Sequence, residues 1–176
     1  MARFTYSMNV SLDGYVDHNK FAPDPVLFQH WIDQVASVTA GIYGRRIYEL
    51  MQYWDDDQPN WGEAEHAFAT AWRAQPKWVV SRTLKEVGPK TTLISDDIEP
   101  VIRRLKAELK GEVAISGTIL AQTLTDLGLM DEYRLYVHPV VLGSGKPFFA
   151  AARPRLRLTG NDRIGSEVIR LTYVPA

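Results

Sequence analysis

Residues 112–149 decide the fold, and they read EVAISGTILAQTLTDLGLMDEYRLYVHPVVLGSGKPFF. Residues 113–115 form a short apolar run that is typical of a buried strand, and Ser116-Gly117 interrupts it. Residues 118–127 carry apolar side chains at helical spacing, and the glycine directly after them suits a left-handed helix cap. Residues 133–142 are rich in β-forming side chains and predict a second strand that lies beside the first. The stretch therefore predicts a strand, a turn, a helix and a returning strand.

The composition limits the partners that the chain can have. Its 176 residues, 45% of them hydrophobic, can bury one substantial core, so we expect a single domain over residues 1–176. The 20 basic and 21 acidic residues leave a net charge of −1, which gives no field that would attract nucleic acid or an anionic membrane. We therefore expect neither partner, and any anionic ligand must be held by a local group of residues.

The residue types also limit the chemistry and the compartment. The absence of cysteine excludes disulfides, zinc–thiolate sites and cysteine nucleophiles. The N-terminal residues MARFTYSMNV show neither a signal-peptide pattern nor a run of about 20 apolar residues, which predicts a soluble, cytoplasmic protein. The acidic run at residues 55–57 is more typical of a solvated loop than of a cation site, because consecutive carboxylates point in different directions. We expect no metal.

Strands and helices alternate through the rest of the chain. The predicted strands are residues 4–10, 38–43, 77–80 and 91–95, the predicted helices are 26–36, 44–51, 62–72 and 98–110, and a terminal hairpin is formed by 156–159 and 167–174. This order predicts an α/β fold with three α-β-α layers, whose central sheet is mixed and mostly parallel with an antiparallel C-terminal edge. Because the carboxyl ends of parallel strands meet at one edge of a sheet, we expect Gly44, Ser81 and Gly117 to converge there.

The Ser116-Gly117-Thr118 turn is the first candidate binding feature. A helix that begins directly after a strand and a glycine directs unpaired N–H groups and the positive end of its dipole over the sheet edge, where an anion can bind. Gly117 would let an anion approach the backbone, and the Thr118 hydroxyl could cap the helix or bind the ligand. Taken alone, this turn is more typical of an ordinary connection into a helix.

Two further polar clusters follow predicted strands. Arg45 and Arg46 come directly after Gly44 at a helix start, where their charges oppose the helix dipole unless an anion binds. Ser81-Arg82-Thr83 could bind a phosphate monoester such as the 2′-phosphate of NADP, or could form an ordinary end to a strand. Neither glycine junction has the GxGxxG or GxxxxGK[ST] spacing of the common nucleotide-binding motifs.

Five segments together carry a resemblance to a known family: TYSMNVSLDGYVD, IYGRRIYE, WVVSRTL, VAISGTILAQTL and GLMDEYRLYVHPVVLGSGKPFF. In that order, and over nearly the whole chain, they resemble the dihydrofolate reductase-like superfamily, and more closely the C-terminal reductase domain of the bifunctional riboflavin-biosynthesis deaminase-reductase. The resemblance implies a sheet of about eight strands, a homodimer and an NADPH-dependent reductase. It also implies hydride transfer to a C=N or C=O bond of a pyrimidine- or pteridine-like substrate, similar to 5-amino-6-(5-phosphoribosylamino)uracil reductase.

The resemblance implies roles for particular residues. The residues expected to bind the NADPH phosphates are Gly44, Arg45, Arg46, Ser116, Gly117, Thr118, Ile119 and Leu120, with Ser81, Arg82 and Thr83 at the 2′-phosphate. Asp13 is expected to be the catalytic proton donor or the substrate anchor, which a pKa raised by partial burial would suit, although an Asp-Gly turn is the simpler interpretation. Tyr48, Trp54 and His138 are candidate walls of the substrate pocket, although aromatic residues at such positions are more often core.

Three residues depart from the family pattern. Ile47 replaces the hydroxyl of a GRxT motif, and Ser116 replaces the first glycine of a pair that dihydrofolate reductases join by a cis peptide bond. Phe28 stands where those enzymes have a pterin-binding acid, so dihydrofolate reduction is not expected. Two alternatives therefore remain: a nucleotide-binding protein of this fold without reductase activity, and an interaction module that pairs subunits through residues 133–142 and the terminal hairpin.

Overall fold

The computed structural model describes residues 1–17 and 19–176. The strands are β1 (Arg3–Ser11), β2 (Tyr15–Val16), β3 (Ala40–Gly44), β4 (Lys77–Val80), β5 (Thr91–Ile94), β6 (Glu112–Ser116), β7 (Glu132–His138), β8 (Lys146–Pro147), β9 (Leu156–Ile164) and β10 (Val168–Pro175). The helices are α1 (Pro25–Ser37), α2 (Arg45–Met51), α3 (Glu63–Ala74), α4 (Ile98–Glu108) and α5 (Thr118–Asp126). No helix in the described ranges is both long and apolar enough to cross a membrane.

Eight strands form one sheet in the order β5-β4-β3-β6-β1-β7-β10-β9, and β2 pairs separately with β8. The pairings from β5 to β7 are parallel, whereas β10 runs antiparallel to both β7 and β9. The predicted mixed sheet with an antiparallel C-terminal edge is therefore confirmed.

The position of β7 corrects one expectation. The strand at residues 133–142 was expected beside the strand at 113–115, but β1 lies between them, and Tyr6 of β1 pairs with Ile115 on one side and Tyr133 on the other. The crossover from β6 through α5 to β7 thus spans two strand positions. The N-terminal strand fills the gap, and so it has parallel neighbours on both of its edges.

Helices cover both faces of the sheet. Ile102 of α4 and Leu124 of α5 pack on one face, against the buried side chains Phe4, Tyr6, Val113 and Ile115. On the other face, Ile32 of α1 and Trp72 of α3 pack with Tyr43 and Val79. The predicted three layers are therefore confirmed.

Two predicted strand ends were wrong. β7 ends at His138 rather than at residue 142, because Pro139 has no N–H to continue the ladder. β9 continues through the predicted turn at residues 160–165, with Gly160 paired to Thr172 where the register of β10 shifts. The chain reverses direction only after Ile164, where Gly165 has a φ of +69°.

Candidate functional site

Two glycines meet where β3 and β6 end. Gly44 is the last residue of β3 and the N-cap of α2, and Gly117 follows β6 as the N-cap of α5. A Cβ atom added to Gly117 would lie 3.4 Å from both the Cα and the N atom of Gly44, and 3.5 Å from Cγ2 of Ile47. Gly117 also has a φ of +114°, which L side chains rarely adopt. The starts of the two helices are therefore in backbone contact.

Neither of these helix starts has a capping side chain. By contrast, α1 begins with Asp24, whose carboxylate accepts a hydrogen bond of 2.8 Å from the N–H of Leu27. At α5 the N-cap Gly117 offers no side chain, and among the described residues the Thr118 hydroxyl does not cap the helix. The N–H groups of the first turn of α5 therefore have no partner within the helix, which is the arrangement that suits an anion.

The peptide bond between Ser116 and Gly117 follows from the departure of Ser116 from the glycine pair of dihydrofolate reductases. Dihydrofolate reductases have a cis bond at this turn, but every peptide bond in the described ranges is trans. The first residue of this turn is a serine, and a cis form of the Ser116–Gly117 bond would be about 3 kcal/mol less stable than the trans form.

The third polar cluster lies beside the glycine contact. β4 is the neighbour of β3, and Gly44 pairs with Val80 directly before Ser81. The Arg45 guanidinium connects the clusters, since its Nη1 donates to Thr83 Oγ1 at 2.6 Å. The predicted convergence of Gly44, Ser81 and Gly117 at one edge of the sheet is thus confirmed by the strand order β4-β3-β6.

The side chains of the cluster differ in what they contact. Ser81 Oγ accepts from the N–H groups of Thr83 and Leu84 at 3.2 and 3.1 Å, which closes the turn after β4. Arg46 and Arg82 are exposed, and neither has a hydrogen bond or ion pair within the described part of the chain. Two guanidinium groups are therefore available to an anion at this edge. Leu120 is buried in the core and Ile119 is exposed, so both can serve a ligand there mainly through their N–H groups.

A cavity of about 410 Å³ lies between α1 and the sheet and reaches this edge. Its floor is formed by small or polar residues of the strands, among them Ser7 and Asn9 of β1, and Ala114 and Ser116 of β6. Its walls come from the helices and the turn after α2, with the side chains Phe28, Trp31, Val35, Ile47, Met51, Trp54 and Phe68. The size and the apolar walls suit a small flat molecule.

Aromatic rings form one wall of the cavity. The rings of Phe28 and Phe68 are stacked with centroids 5.8 Å apart, and Trp54 lies 4.5 Å from Phe68. Sequence reasoning missed Phe68 and Trp31 as site residues, because apolar residues at helical spacing predict a core face and a cavity wall equally well.

Two buried N–H donors in the cavity lining have no hydrogen-bond partner among the described residues. They are Trp31 Nε1 and Gln75 Nε2. The oxygen of the same Gln75 amide does have a partner, because Tyr43 OH donates to Gln75 Oε1 at 2.6 Å. An unpaired buried donor costs about 1–3 kcal/mol, so a ligand with acceptor atoms would be favoured here.

A charged network closes the far end of the cavity at Glu112. The Glu112 carboxylate accepts from Arg134 at 2.8 and 3.0 Å, from Arg3 at 2.6 Å and from Gln34 at 2.9 Å. Burial alone would raise the pKa of Glu112, but the hydrogen bonds from Arg134 and Arg3 outweigh it and lower the pKa. Arg134 also donates to Glu132 at 2.5 Å, and so its charge is already compensated.

Asp13 lies outside the lining of the cavity. Its carboxylate accepts from the hydroxyl of Ser11 at 2.6 Å and from the N–H groups of Leu142 and Gly143 at 3.1 and 2.7 Å. The Ser11 hydroxyl and these backbone donors lower the pKa of Asp13 to about 2. The expectation of a pKa raised by burial was therefore wrong, and this ionised carboxylate connects two loops.

Of the three expected pocket walls, the cavity lining includes Trp54 but neither Tyr48 nor His138. Tyr48 is buried, and its OH accepts from the N–H of Gly88 at 2.7 Å. His138 is bonded through Nε2 to Asn9 Oδ1 at 2.9 Å, and burial lowers its pKa. His138 thus holds Asn9, which does line the cavity.

The acidic run at residues 55–57 has partners within the protein. Asp55 accepts from Trp72 Nε1 at 2.8 Å, and Asp57 pairs with Arg73 at 2.8 Å. In the described ranges, no three His, Asp or Glu side chains are grouped so that they could hold a metal ion. These carboxylates join the loop after α2 to α3.

The sequence matches one described family over almost its full length. The RibD C-terminal domain matches residues 3–170. The Uncharacterized protein YyaP of Bacillus subtilis (strain 168) is 29% identical over 183 residues, an alignment that covers 97% of this chain and 94% of that protein.

Solved structures show the same fold. A putative riboflavin biosynthesis protein from Shewanella sp. PV-4 superposes with a TM-score of 0.73 at 22% identity, over 100% of this chain and 99% of that one. A pyrimidine reductase-like protein from Corynebacterium diphtheriae gives a TM-score of 0.71 at 12% identity, over 99% and 92% of the two chains. The Thermotoga maritima diaminohydroxyphosphoribosylaminopyrimidine deaminase/5-amino-6-(5-phosphoribosylamino)uracil reductase gives 0.66 at 13% identity, over 99% of this chain and 57% of that one.

Proposed function

The chain belongs to the RibD C-terminal domain family, and from that premise we propose that it is an NADPH-dependent reductase of a small heterocyclic substrate. The observation that carries the proposal is the contact between the Gly44 and Gly117 junctions at the mouth of an apolar cavity. An anion-binding edge beside a flat cavity is the arrangement that a dinucleotide and a heterocycle require together.

The residues at the edge fit the proposed cofactor. A Cβ atom at Gly117 would fill the space against Gly44, so glycine at this position leaves the backbone open to a pyrophosphate. The groups that would hold the phosphates are the first N–H groups of α5 together with Arg45 and Arg46. Arg82, with Ser81 and Thr83, would hold the 2′-phosphate. When bound, NADPH supplies the hydride that reduces a C=N or C=O bond.

The protein's own side chains would position the substrate and exclude water. Ile47 and Ser116 lie both at the glycine contact and in the cavity lining, and so they mark where cofactor and substrate would meet. The rings of Phe28, Trp54 and Phe68 would pack against a flat substrate, and such packing orients the reacting groups. Asp13 would fix the loop at Leu142 and Gly143 in this proposal, rather than donate a proton.

Calorimetric titration of NADPH and NADH tests the cofactor assignment. We expect NADPH to bind at least about tenfold more tightly than NADH, because a guanidinium–phosphate pair is a strong charge-assisted contact. Arg82→Ala should reduce NADPH affinity to the level of NADH. Arg157→Ala, which removes an exposed arginine of β9 near the opposite edge of the sheet, serves as the control and should change neither affinity. Failure of both nucleotides to bind would contradict the proposal.

A second candidate is a nucleotide-binding protein of the same fold that does not reduce a substrate. The observation that favours it is Ile47, which directs a methyl group toward Gly117 where the GRxT motif has a hydroxyl. Such a protein would bind NADPH, but no pyrimidine or pteridine would increase the rate of NADPH oxidation, which is followed by absorbance.

We also propose a homodimer. β9 forms the end of the sheet next to β10, and its outer edge pairs with no other described strand, so a second subunit could pair there. Light scattering that returned the mass of a monomer would contradict this.

A further inference from the structure

We infer that the cavity beneath α1 binds a flat nitrogen heterocycle that carries a positive charge and no phosphate. The reaction of such a ligand rests on the proposed reductase function. The name of the Thermotoga maritima reductase gives its substrate a phosphoribosyl group, so the inference distinguishes the ligand of this chain from that substrate. The inference rests on the charged residues, the aromatic rings and the unpaired hydrogen-bond donors of the cavity lining.

The residues described in the cavity lining offer no positive charge to a phosphate. The described lining contains no lysine and no arginine, and its two charged residues are the acids Asp17 and Glu112. Arg134 lies just behind Glu112, but its guanidinium is already bound to both Glu112 and Glu132. A dianion in this space would lose its hydration without gaining a counter-charge, which is strongly unfavourable.

A cation, by contrast, would be stabilised by two features of the cavity lining. The faces of Phe28, Trp54 and Phe68 are electron-rich, and a cation above such a ring is attracted by its quadrupole. The Asp17 carboxylate, which accepts a hydrogen bond of 3.0 Å from the N–H of Asn19, adds a negative charge to the lining. Attraction of this kind increases as water is displaced from the cavity.

The unpaired donors define a further feature of the ligand. Trp31 Nε1 and Gln75 Nε2 belong to lining residues and can only donate, so a ligand that presents a carbonyl oxygen or an unprotonated ring nitrogen to them would be favoured. The Gln75 side chain is almost fully buried, with 4% of the residue exposed, and its orientation is fixed by Tyr43. A heterocycle with both an acceptor and a charged nitrogen meets both requirements.

A positive charge on the substrate also removes the need for a proton donor. The hydride from reduced nicotinamide would add to the carbon of a C=N⁺ bond, and the π electron pair would move to nitrogen and cancel its charge. The products are a neutral amine and oxidised nicotinamide, and no proton is consumed. Asp13 lies outside the lining, and Glu112 is held ionised by Arg134 and Arg3. The Tyr43 hydroxyl donates to Gln75, and Asp17 serves here as the counter-charge, so the described side chains fit a reaction that needs no acid.

Three probes of similar shape test the charge preference: N-methylquinoxalinium, quinoxaline and quinoxaline-6-carboxylate, each of which keeps an unprotonated ring nitrogen, and each is titrated by calorimetry. We expect the cation to bind about tenfold more tightly than the anion, with the neutral ring between them. Asp17→Asn and Phe28→Leu should each reduce the advantage of the cation. Asp33→Asn, the same chemical change as Asp17→Asn but on the exposed face of α1, should leave the order unchanged. Equal binding of cation and anion, or an equal loss for all three probes in Asp17→Asn, would overturn the inference.

Titration of NADPH into the same samples separates this inference from the reductase proposal. NADPH binding without a preference for the cation overturns the inference and leaves the reductase standing. A preference for the cation without NADPH binding supports the charge assignment of the cavity and overturns the reductase.

Discussion

A Cβ atom on Gly117 would lie 3.4 Å from the Cα atom of Gly44, so the first turns of α2 and α5 meet backbone to backbone. The two residues are distant in sequence, but they end neighbouring parallel strands. The contact lies beside Ile47 and Ser116 of the cavity lining, and the proposed cofactor site depends on it.

Gly117→Ala should weaken NADPH binding and lower the free energy of unfolding by about 1 kcal/mol or more, because alanine is strained at this positive φ and its Cβ would occupy the space beside Gly44. Gly128→Ala is the matched control, since Gly128 has a φ of +67° but open space around its Cβ position. The control should lose stability and keep its NADPH affinity. Equal affinities in the two variants would show that the Gly44 contact does not matter for binding.

Ile47→Thr should tighten NADPH binding by about threefold to tenfold, because it restores a hydroxyl that can donate to a phosphate beside Gly117. Ile47→Val is the control, since valine matches threonine in shape and lacks the hydroxyl. Calorimetry on the two variants measures the effect of the hydroxyl alone. If the threonine variant binds no better than the valine variant, the phosphate does not lie at this turn.

Asp13→Asn should lower stability at neutral pH and have no effect in strong acid. The folded state holds the pKa of Asp13 at about 2, below its usual value, because Ser11 and the backbone of Leu142 stabilise the carboxylate. Its contribution is therefore complete above about pH 4 and is lost as the pH falls through about 2. Urea unfolding at several pH values measures the difference between wild type and variant, which should shrink in that range.

Asp56→Asn provides the control for this titration, because the Asp56 side chain is exposed and makes no hydrogen bond within the described ranges. Its stability should follow the wild type throughout. A difference in unfolding free energy between Asp13→Asn and the wild type that stays constant from about pH 6 to about pH 2 would contradict the assignment.

Arg134→Met should destabilise the protein by about 3 kcal/mol, because it leaves Glu112 and Glu132 partly buried beside each other with only Arg3 to compensate them. Arg103→Met, which breaks an exposed pair with Glu99 on α4, is the control and should cost about 0.5 kcal/mol. Chemical denaturation of both variants gives the comparison. Similar losses in both would mean that the network at Glu112 is as well solvated as a surface pair.

Most of the secondary structure could be predicted from the sequence, because its signals are local. The turn at Ser116-Gly117 and the helix start at Gly44 are marked by glycine itself, and the parallel order of the strands then brings them to one edge. The end of β7 was misplaced, because β-forming residues continue past His138 and only the proline stops the ladder.

The site residues were harder to predict, because a side chain's role depends on what faces it. Asp13 was expected to donate a proton or to anchor the substrate, but its partners Leu142 and Gly143 come from a loop far along the chain. Phe28, Trp31 and Val35 follow the same spacing as a buried helix face, and the spacing does not tell whether a core or a cavity lies beneath it.

The sequence by itself determined the strands, the helices and the glycine junctions, since each depends on the conformations and caps available to a few neighbouring residues. The tertiary structure alone decided that β1 lies between β6 and β7. It also decided that aromatic side chains of α1 and α3 line the same cavity as Ser7 and Asn9 of β1. These choices depend on packing between residues that are distant in sequence. Local conformational preference has no influence on which distant surfaces fit together.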